Sequence, residues 1–161
     1  MDRRTLLKTS GLALASLGVM GMPAVSQAHT TNQLDTEPLK NELSKYPKCT
    51  ICNMDRTQFH FSRHLLHYAD GHAEGACSIN CASECMVRSR KRGFAAIYAA
   101  DYGNQQEIKP LTEVSAATYL IGAKLRPVMS KVSKYAFAER AAAEAVMAEA
   151  GGRLANFDEA V

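Results

Sequence analysis

The sequence predicts an α+β fold in which a hairpin followed by a helix occurs twice along the chain. In the first half, partial alternation of apolar and polar side chains over residues 59–68 ends at Asp70-Gly71, a dipeptide typical of hairpin turns. A capped helix follows that hairpin, and an alanine-rich stretch over residues 138–150 predicts a second helix after the strands of the second half. These observations indicate an α+β class with a rough internal repeat.

Residues 1–28 have the features of an export signal. A charged start with two adjacent arginines precedes an apolar run over residues 11–25, and Ser26-Gln27-Ala28 is a small-residue cleavage site. Twin-arginine-type signals serve proteins that are exported folded, so we expect a periplasmic protein cleaved near Ala28. No cysteine lies close enough to the apolar run for a lipid anchor, and no later stretch approaches the ~20 apolar residues of a membrane span.

The rest of the chain is close to electrically neutral. The 161 residues carry a formal net charge of +3, and the charged start of the signal contributes +2, which leaves about +1 for residues 29–161. A near-neutral protein offers no electrostatic reason to bind nucleic acid or an anionic membrane. Its 47% hydrophobic and 22% charged residues fit a globular protein with one domain or two small ones.

Residues 29–45 are polar and have little periodicity, which predicts a flexible lead-in. Two units are expected after it: a cysteine-rich metal-binding unit over residues 46–93 and a second α+β unit over residues 94–161. Cleavage after Ala28 would make His29 the N-terminal residue, whose amine and imidazole can chelate Cu(II). A chance remnant of cleavage is the simpler interpretation of that histidine.

A cluster of sulfur side chains opens the first unit. Cys49, Cys52 and Met54 place two thiols and a thioether within six residues. Thiolate and thioether together suit a soft ion such as Cu(I), whereas Zn(II) rarely takes methionine. A Cys-x-x-Cys pair by itself is a weak signal, because it also occurs in disulfides and in thiol–disulfide enzymes.

The predicted helix of the first unit carries three more cysteines. Ser78 is a good N-cap, and Gly93 ends a helix that runs to about residue 92. Cys77, Cys81 and Cys85 are spaced four residues apart and lie near one helix face. The first two lie at the helix start, where unpaired N–H groups and the helix dipole favour the thiolate that metals require. For Cys85 a buried apolar role is the simpler interpretation.

Several other side chains are weaker candidates for metal ligands. His60 and His64 share one face of the predicted strand, where exposed histidines are commoner than ligands. His72 in the hairpin turn is expected to be solvated. Met129 could cap a copper site with its thioether or fill the core, and the core is favoured.

The second half is expected to carry structure more than chemistry. The predicted elements are a strand over residues 94–102, an extended piece around Ile108, a helix over 110–119, an extended segment over 131–137, the helix over 138–150 closed by Gly151-Gly152, and an edge strand over 154–157.

These motifs together resemble the NosL family of copper-binding accessory proteins. The similarity covers residues 46–159 and rests on Cys49-x-x-Cys52-x-Met54, Asp70-Gly71, the Cys77-x-x-x-Cys81 helix start, residues 119–122 and 127–129, and the C-terminal run of residues 151–159. Two departures stand out. Asn53 occupies a position where the family usually has glycine, although asparagine also tolerates a left-handed backbone. The family is commonly lipid-anchored, and no such anchor is expected here.

The resemblance implies a periplasmic metallochaperone that binds Cu(I) and supplies it during maturation of nitrous-oxide reductase, a step of denitrification, without catalysis of its own. It also implies two related ββα-type units, the first with a cysteine-rich knuckle. The family's copper motif falls on Cys52 and Met54, and the Cys77 and Cys81 pair is similar to that of heavy-metal trafficking modules of the TRASH type.

Two other functions stay open at this point. Cys49, Cys52, Cys77 and Cys81 could hold a structural Zn(II) or form disulfides that stabilise a small binding module. Alternatively, Cys49 and Cys52 could form the pair of a thiol–disulfide oxidoreductase, although Met54 and the second cysteine pair argue against an enzyme. Whether one ion or two would occupy the site is also open.

Overall fold

The computed structural model describes residues 34–161. The predicted export signal and His29 lie outside the described residues. Within residues 34–161, none of the helices has the length and apolar character needed to cross a bilayer. The described chain contains two antiparallel sheets, each packed with helices, and this arrangement confirms the predicted α+β class.

The first sheet has the strand order β2-β1-β3-β4, with β1 at His64–Tyr68, β2 at Ala73–Ala76, β3 at Phe94–Ala100 and β4 at Leu111–Glu113. The hairpin β1–β2 turns at the predicted Asp70-Gly71, and Gly71 has a positive φ of 78° that such a turn requires. Strand β1 is central, so His64 pairs with Ala76 of β2 on one side and Ala99 of β3 on the other. Helix α2, Ile79–Ser89, connects β2 to β3.

Helix α2 begins and ends where the sequence predicts. The side chain of Ser78 accepts a hydrogen bond from the backbone N–H of Cys81 at 3.4 Å, which caps the first turn. A 3₁₀ turn, Arg90–Arg92, extends the helix, and Gly93 terminates it with a φ of 68°. One face of α2, including Ile79 and Cys85, packs into the core.

The second sheet repeats this chain path. Strands β5, Thr118–Ile121, and β6, Lys134–Phe137, form a hairpin; helix α3, Arg140–Ala150, follows; and β7, Arg153–Ala155, returns antiparallel beside β5. The strand order β6-β5-β7 matches β2-β1-β3 of the first sheet. The predicted repeat of hairpin and helix is therefore present in both halves. The chain closes with the short helix α4, Phe157–Ala160.

The helix predicted over residues 110–119 is wrong. Leu111–Glu113 instead forms the edge strand β4 against β3, and Thr118–Ile121 forms the central strand β5. Tyr119 and Leu120 are completely buried in β5. Pairing with distant strands and burial of aromatic and branched side chains decide the structure here, and they override a weak helical preference.

Several other predicted boundaries shift. Residues 59–62 form turns before β1, where the Ser62 N–H donates to the Phe59 carbonyl at 3.0 Å. No strand of the described chain includes Ile108. The last strand ends at Ala155, because Asn156 and Glu159 form a reciprocal capping box that starts α4 at Phe157.

Residues 34–45, where the sequence predicted a flexible lead-in, are held against the body of the protein. They include helix α1, Glu42–Lys45, whose first residue is buried. One oxygen of the Glu42 carboxylate accepts a hydrogen bond from Arg63 Nε at 2.7 Å, and the other forms an ion pair with Arg56 Nη2 at 2.9 Å. The partners of Glu42 are distant in sequence, so local periodicity does not reveal this attachment.

The two sheets are joined at one end. Asp101 and Ala136 form a parallel bridge, and the Tyr102 N–H donates to the Ala136 carbonyl at 2.8 Å. His64 of β1 also contacts Tyr119 of β5: the tyrosine hydroxyl lies 3.1 Å from His64 Nε2, and the rings stack with centroids 6.3 Å apart. The main hydrophobic core accordingly contains residues of both halves.

Replacing the buried carboxylate tests the attachment of the lead-in. Glu42→Gln leaves Arg56 and Arg63 buried beside a neutral side chain, and loss of one partner of a buried ion pair costs about 3–5 kcal/mol. We expect a large drop in the free energy of unfolding measured by urea denaturation. Glu37→Gln is the matched control, because the Glu37–Lys40 pair is exposed and its loss should leave the unfolding midpoint nearly unchanged. Equal effects of the two substitutions would contradict this account.

The burial of His64 makes the free energy of unfolding depend on pH. Complete burial lowers the pKa of His64 from 6.5 to about 4, while its ring stays hydrogen-bonded to Ser62 and Tyr119. The unfolded chain therefore takes up this proton below about pH 6.5, whereas the folded protein resists it until about pH 4. We expect stability to be lost progressively across that window, by about 3 kcal/mol at full extent.

His64→Gln should remove this component, because glutamine does not titrate. Urea unfolding of both proteins at pH 7 and pH 4.5 measures the difference. A variant with the same pH dependence as the wild type would show that other groups are responsible.

Candidate metal centre

The first cysteine pair lies on a tight turn between Lys48 and Asp55, which form an isolated antiparallel bridge. The Cys49 N–H donates to the Met54 carbonyl at 2.9 Å, and the Asn53 N–H donates to the Cys49 carbonyl at 2.9 Å. Asn53 has a φ of 60°, the left-handed conformation that its side chain tolerates better than most. The expected knuckle therefore forms with asparagine in place of glycine.

The second pair lies where β2 passes into α2. Cys77 directly follows the last residue of β2, and Cys81 lies in the first turn of the helix. The Thr50 N–H of the knuckle donates to the Gly75 carbonyl of β2 at 2.9 Å, which fastens the two parts together. Ser62 also donates its hydroxyl to the Cys77 carbonyl at 2.8 Å. The knuckle and the helix start thus face each other.

The four sulfur atoms of Cys49, Cys52, Cys77 and Cys81 lie within 4.8 Å of one another. The Cys52 sulfur is 3.4 Å from Cys77 and 3.9 Å from Cys81, and the Cys77 and Cys81 sulfurs are 3.7 Å apart. A tetrahedral site with metal–sulfur bonds of about 2.3 Å has sulfur–sulfur edges of about 3.8 Å. The spacing therefore fits a thiophilic metal ion bound by all four thiols, or by three of them.

The four thiols differ in their access to solvent. Cys49, Cys77 and Cys81 are 2%, 0% and 3% exposed, whereas Cys52 is only half-buried. The cluster is consequently closed on three sides and open at Cys52.

The metal-free cluster favours one shared negative charge. Hydrogen bonds from Cys77 and Cys81 hold the pKa of the Cys49 thiol well below its usual value. The same bonds to Cys49 raise the pKa of Cys77, and they raise that of Cys81 to about 12. Cys49 is thus the natural thiolate and the other two are its hydrogen-bond donors. Metal binding must displace their protons.

Arg56 is a supporting residue that sequence reasoning did not identify. Its side chain is fully buried and donates to the carbonyls of Tyr46, His64 and Ala76, which belong to the approach to the knuckle, to β1 and to the end of β2. A β-carbon at Gly75 would lie 2.7 Å from the Arg56 guanidinium, so this strand position is confined to glycine. Only the position of Arg56, just after the cysteine knuckle, hinted at such a role.

The two candidate methionines have different environments. Met54 is half-buried, packs against the core that contains the cysteines, and closes the knuckle through its backbone carbonyl. Met129 is 48% exposed with a φ of 52°, so the prediction that it fills the core is wrong. Its carbonyl accepts a hydrogen bond from the Asn80 side chain at 2.6 Å, which ties its loop to the helix start between Cys77 and Cys81.

The remaining candidates lie outside the cluster. Both ring nitrogens of His64 are engaged within the core, by Ser62 and Tyr119. The Nδ1 atom of His60 accepts from the Lys109 N–H at 3.4 Å. His72, expected in solvent, is buried and stacks on Tyr68 with ring centroids 5.9 Å apart. Cys85 is buried as expected, and burial raises its pKa to about 12.

Among residues 34–161, the four cysteines form the one group of three or more histidine, cysteine or acidic side chains arranged to hold a metal ion. All five cysteines are free thiols. The sequence spacing had indicated these four residues, and the structure brings them together.

Comparison with solved structures finds a similar fold. The crystal structure of the copper chaperone NosL from Shewanella denitrificans aligns over 86% of this chain and 96% of that one, with a TM-score of 0.56 and 19% identical residues. At that identity the likeness establishes the fold. None of the curated proteins compared with the chain matches it. The model of the NosL family matches residues 40–160, and the chain therefore belongs to the NosL family.

Proposed function

We propose that this protein is a periplasmic Cu(I)-binding accessory protein that holds copper at the four-cysteine cluster and passes it to a client enzyme. The observation that carries the proposal is the cluster itself: four thiols within 4.8 Å, of which one is accessible from outside. Soft thiolate ligands select Cu(I), and the thioether of Met54, two residues after Cys52, offers a further soft ligand. The NosL family is one of copper chaperones and not an enzyme class, which supports binding and transfer without catalysis.

The uneven burial of the thiols supports transfer. Cu(I) is satisfied by two or three soft ligands, so a four-thiol cluster offers more than the ion needs. Cys49, Cys77 and Cys81 hold the ion from inside, and Cys52 at the surface can be exchanged for a ligand of the partner. Stepwise ligand exchange moves the ion without releasing it into solution.

The proposed compartment and the proposed client enzyme are argued from the sequence. The twin-arginine-type signal over residues 1–28 supports export to the periplasm. The resemblance of residues 46–159 to the NosL family supports nitrous-oxide reductase as the client that receives copper during its maturation. No partner other than such a copper-requiring enzyme is proposed.

A structural Zn(II) site is the second candidate. The sulfur–sulfur distances of 3.4–3.9 Å are close to the edges of the tetrahedral four-cysteine sites that zinc prefers. A closed zinc site would hold its metal permanently and stabilise the fold. The partial exposure of Cys52 favours transfer over such a permanent site.

Competition for copper tests the proposal. The mature chain, residues 29–161, is reduced without oxygen and titrated with Cu(I) against a chromophoric chelator. We expect stoichiometric binding by the wild type and at least about tenfold weaker binding by Cys52→Ser, which loses a soft ligand. Met54→Leu should weaken binding of Cu(I) while leaving that of Zn(II) unchanged, because zinc rarely takes a thioether.

Cys85→Ala is the matched control, because Cys85 lies on the same helix as Cys81 but outside the cluster. The Cu(I) affinity of this variant should equal that of the wild type. Failure of the wild type to compete would overturn the copper proposal. Retention of one stoichiometric zinc ion that Cu(I) does not displace would instead support the structural site.

A further inference from the structure

One cysteine of the cluster is partly exposed to solvent. Cys52 is half-buried on the knuckle, while the sulfurs of Cys49, Cys77 and Cys81 belong to residues that are at most 3% exposed. Thiol–disulfide exchange requires direct attack of one sulfur on another along an open path. Because Cys52 is the partly exposed thiol of the cluster, it carries out the first step of any such reaction.

A second thiol is placed to complete the reaction. The Cys77 sulfur lies 3.4 Å from that of Cys52, closer than the Cys81 sulfur at 3.9 Å. A disulfide bond is about 2.05 Å long, so bonding requires an approach of only about 1.4 Å. Cys52 lies on a turn, so this approach does not require a helix or a strand to move. Cys77 is fixed between β2 and α2.

We propose that Cys52 and Cys77 form a thiol–disulfide exchange site that closes the empty metal cluster. The Cys52 thiolate attacks a disulfide oxidant, forming a mixed disulfide and releasing one thiolate of the oxidant. The Cys77 thiol then gives up its proton, and its sulfur attacks the Cys52 sulfur and displaces the second thiolate. Two protein thiols lose two electrons and two protons, and one disulfide of the oxidant is reduced to two thiols.

A Cys52–Cys77 disulfide would affect the loading of the cluster with metal. Oxidation leaves only the thiols of Cys49 and Cys81 in the cluster and removes the partly exposed one, so the oxidised protein binds Cu(I) more weakly, and cannot exchange it through Cys52, until a dithiol reductant restores both thiols. This consequence rests on the proposed function, whereas the exchange chemistry itself does not. A bound metal ion occupies the sulfur lone pairs and protects both thiols. The periplasm is an oxidising compartment, in which an empty cluster would meet such oxidants.

Mass spectrometry of the disulfide tests the proposal. The purified protein is reduced, freed of metal with a chelator, and exposed without oxygen to oxidised glutathione as the probe; free thiols are then alkylated and the chain is cut with trypsin. Cys49 and Cys52 share the peptide of residues 49–56, and Cys77, Cys81 and Cys85 share that of residues 64–88. We expect loss of two of five free thiols and a cross-link between these peptides.

Variants assign the cross-link to its atoms. Cys52→Ser and Cys77→Ser should abolish it, while Cys81→Ala and Cys85→Ala should retain it. Cys52→Ser should lose thiols more than about tenfold more slowly than the wild type, because the accessible nucleophile is gone. Circular dichroism and urea unfolding establish that each variant is folded. Protein loaded with Zn(II) should resist oxidation.

Three results would overturn the proposal: a disulfide within either peptide, equal oxidation rates for Cys52→Ser and the wild type, or no oxidation of the folded wild type. Cu(I) titration of the reduced protein runs in parallel. A cross-link without copper binding would overturn the proposed function and leave the exchange site standing. Copper binding without a cross-link would overturn the exchange site and leave the proposed function standing.

Discussion

The metal centre depends on one buried guanidinium. Arg56 donates to the carbonyls of Tyr46, His64 and Ala76, so a single side chain holds together the segment before the knuckle, the central strand and the end of β2. Its ion pair with Glu42 adds the lead-in to the same arrangement. Buried charges are costly unless they are paired and hydrogen-bonded, and the Arg56 guanidinium meets both conditions. Together with the Thr50–Gly75 backbone hydrogen bond, Arg56 therefore holds the segments that carry the two cysteine pairs in place.

The cluster combines a fixed part with an accessible one. Cys77 and Cys81 are set by the end of a strand and the first turn of a capped helix, and Cys49 is locked by backbone hydrogen bonds of the knuckle. Cys52 alone is partly exposed. This division gives a site that can retain a soft ion through its interior thiols and exchange one ligand at its surface. The same exposed sulfur is the one through which the empty site is open to oxidation.

The internal repeat separates the roles of the two halves. Both halves follow the same path of hairpin, helix and returning strand, yet the cysteines lie in the first. The second half supports that site from outside: Tyr119 of β5 contacts His64 of β1, and the loop of Met129 is bound by Asn80 at the helix start. Its own hydrophobic core includes the buried aromatic side chains of Tyr135 and Phe137.

Short-range sequence signals determined much of the fold and most of the candidate site. The Ser78 cap, the glycine stop at position 93, the hairpin turn and the spacing of the four cysteines are all signals within a few residues, so the sequence by itself predicted α2, the first hairpin and the cluster. Tertiary structure decided what depends on distant partners. Strands β4 and β5 replace a predicted helix because they pair with β3, β6 and β7. The same holds for the burial of Glu42, the role of Arg56, the exposure of Met129 and the partial exposure of Cys52. Each depends on how side chains that are far apart in sequence pack in the folded protein.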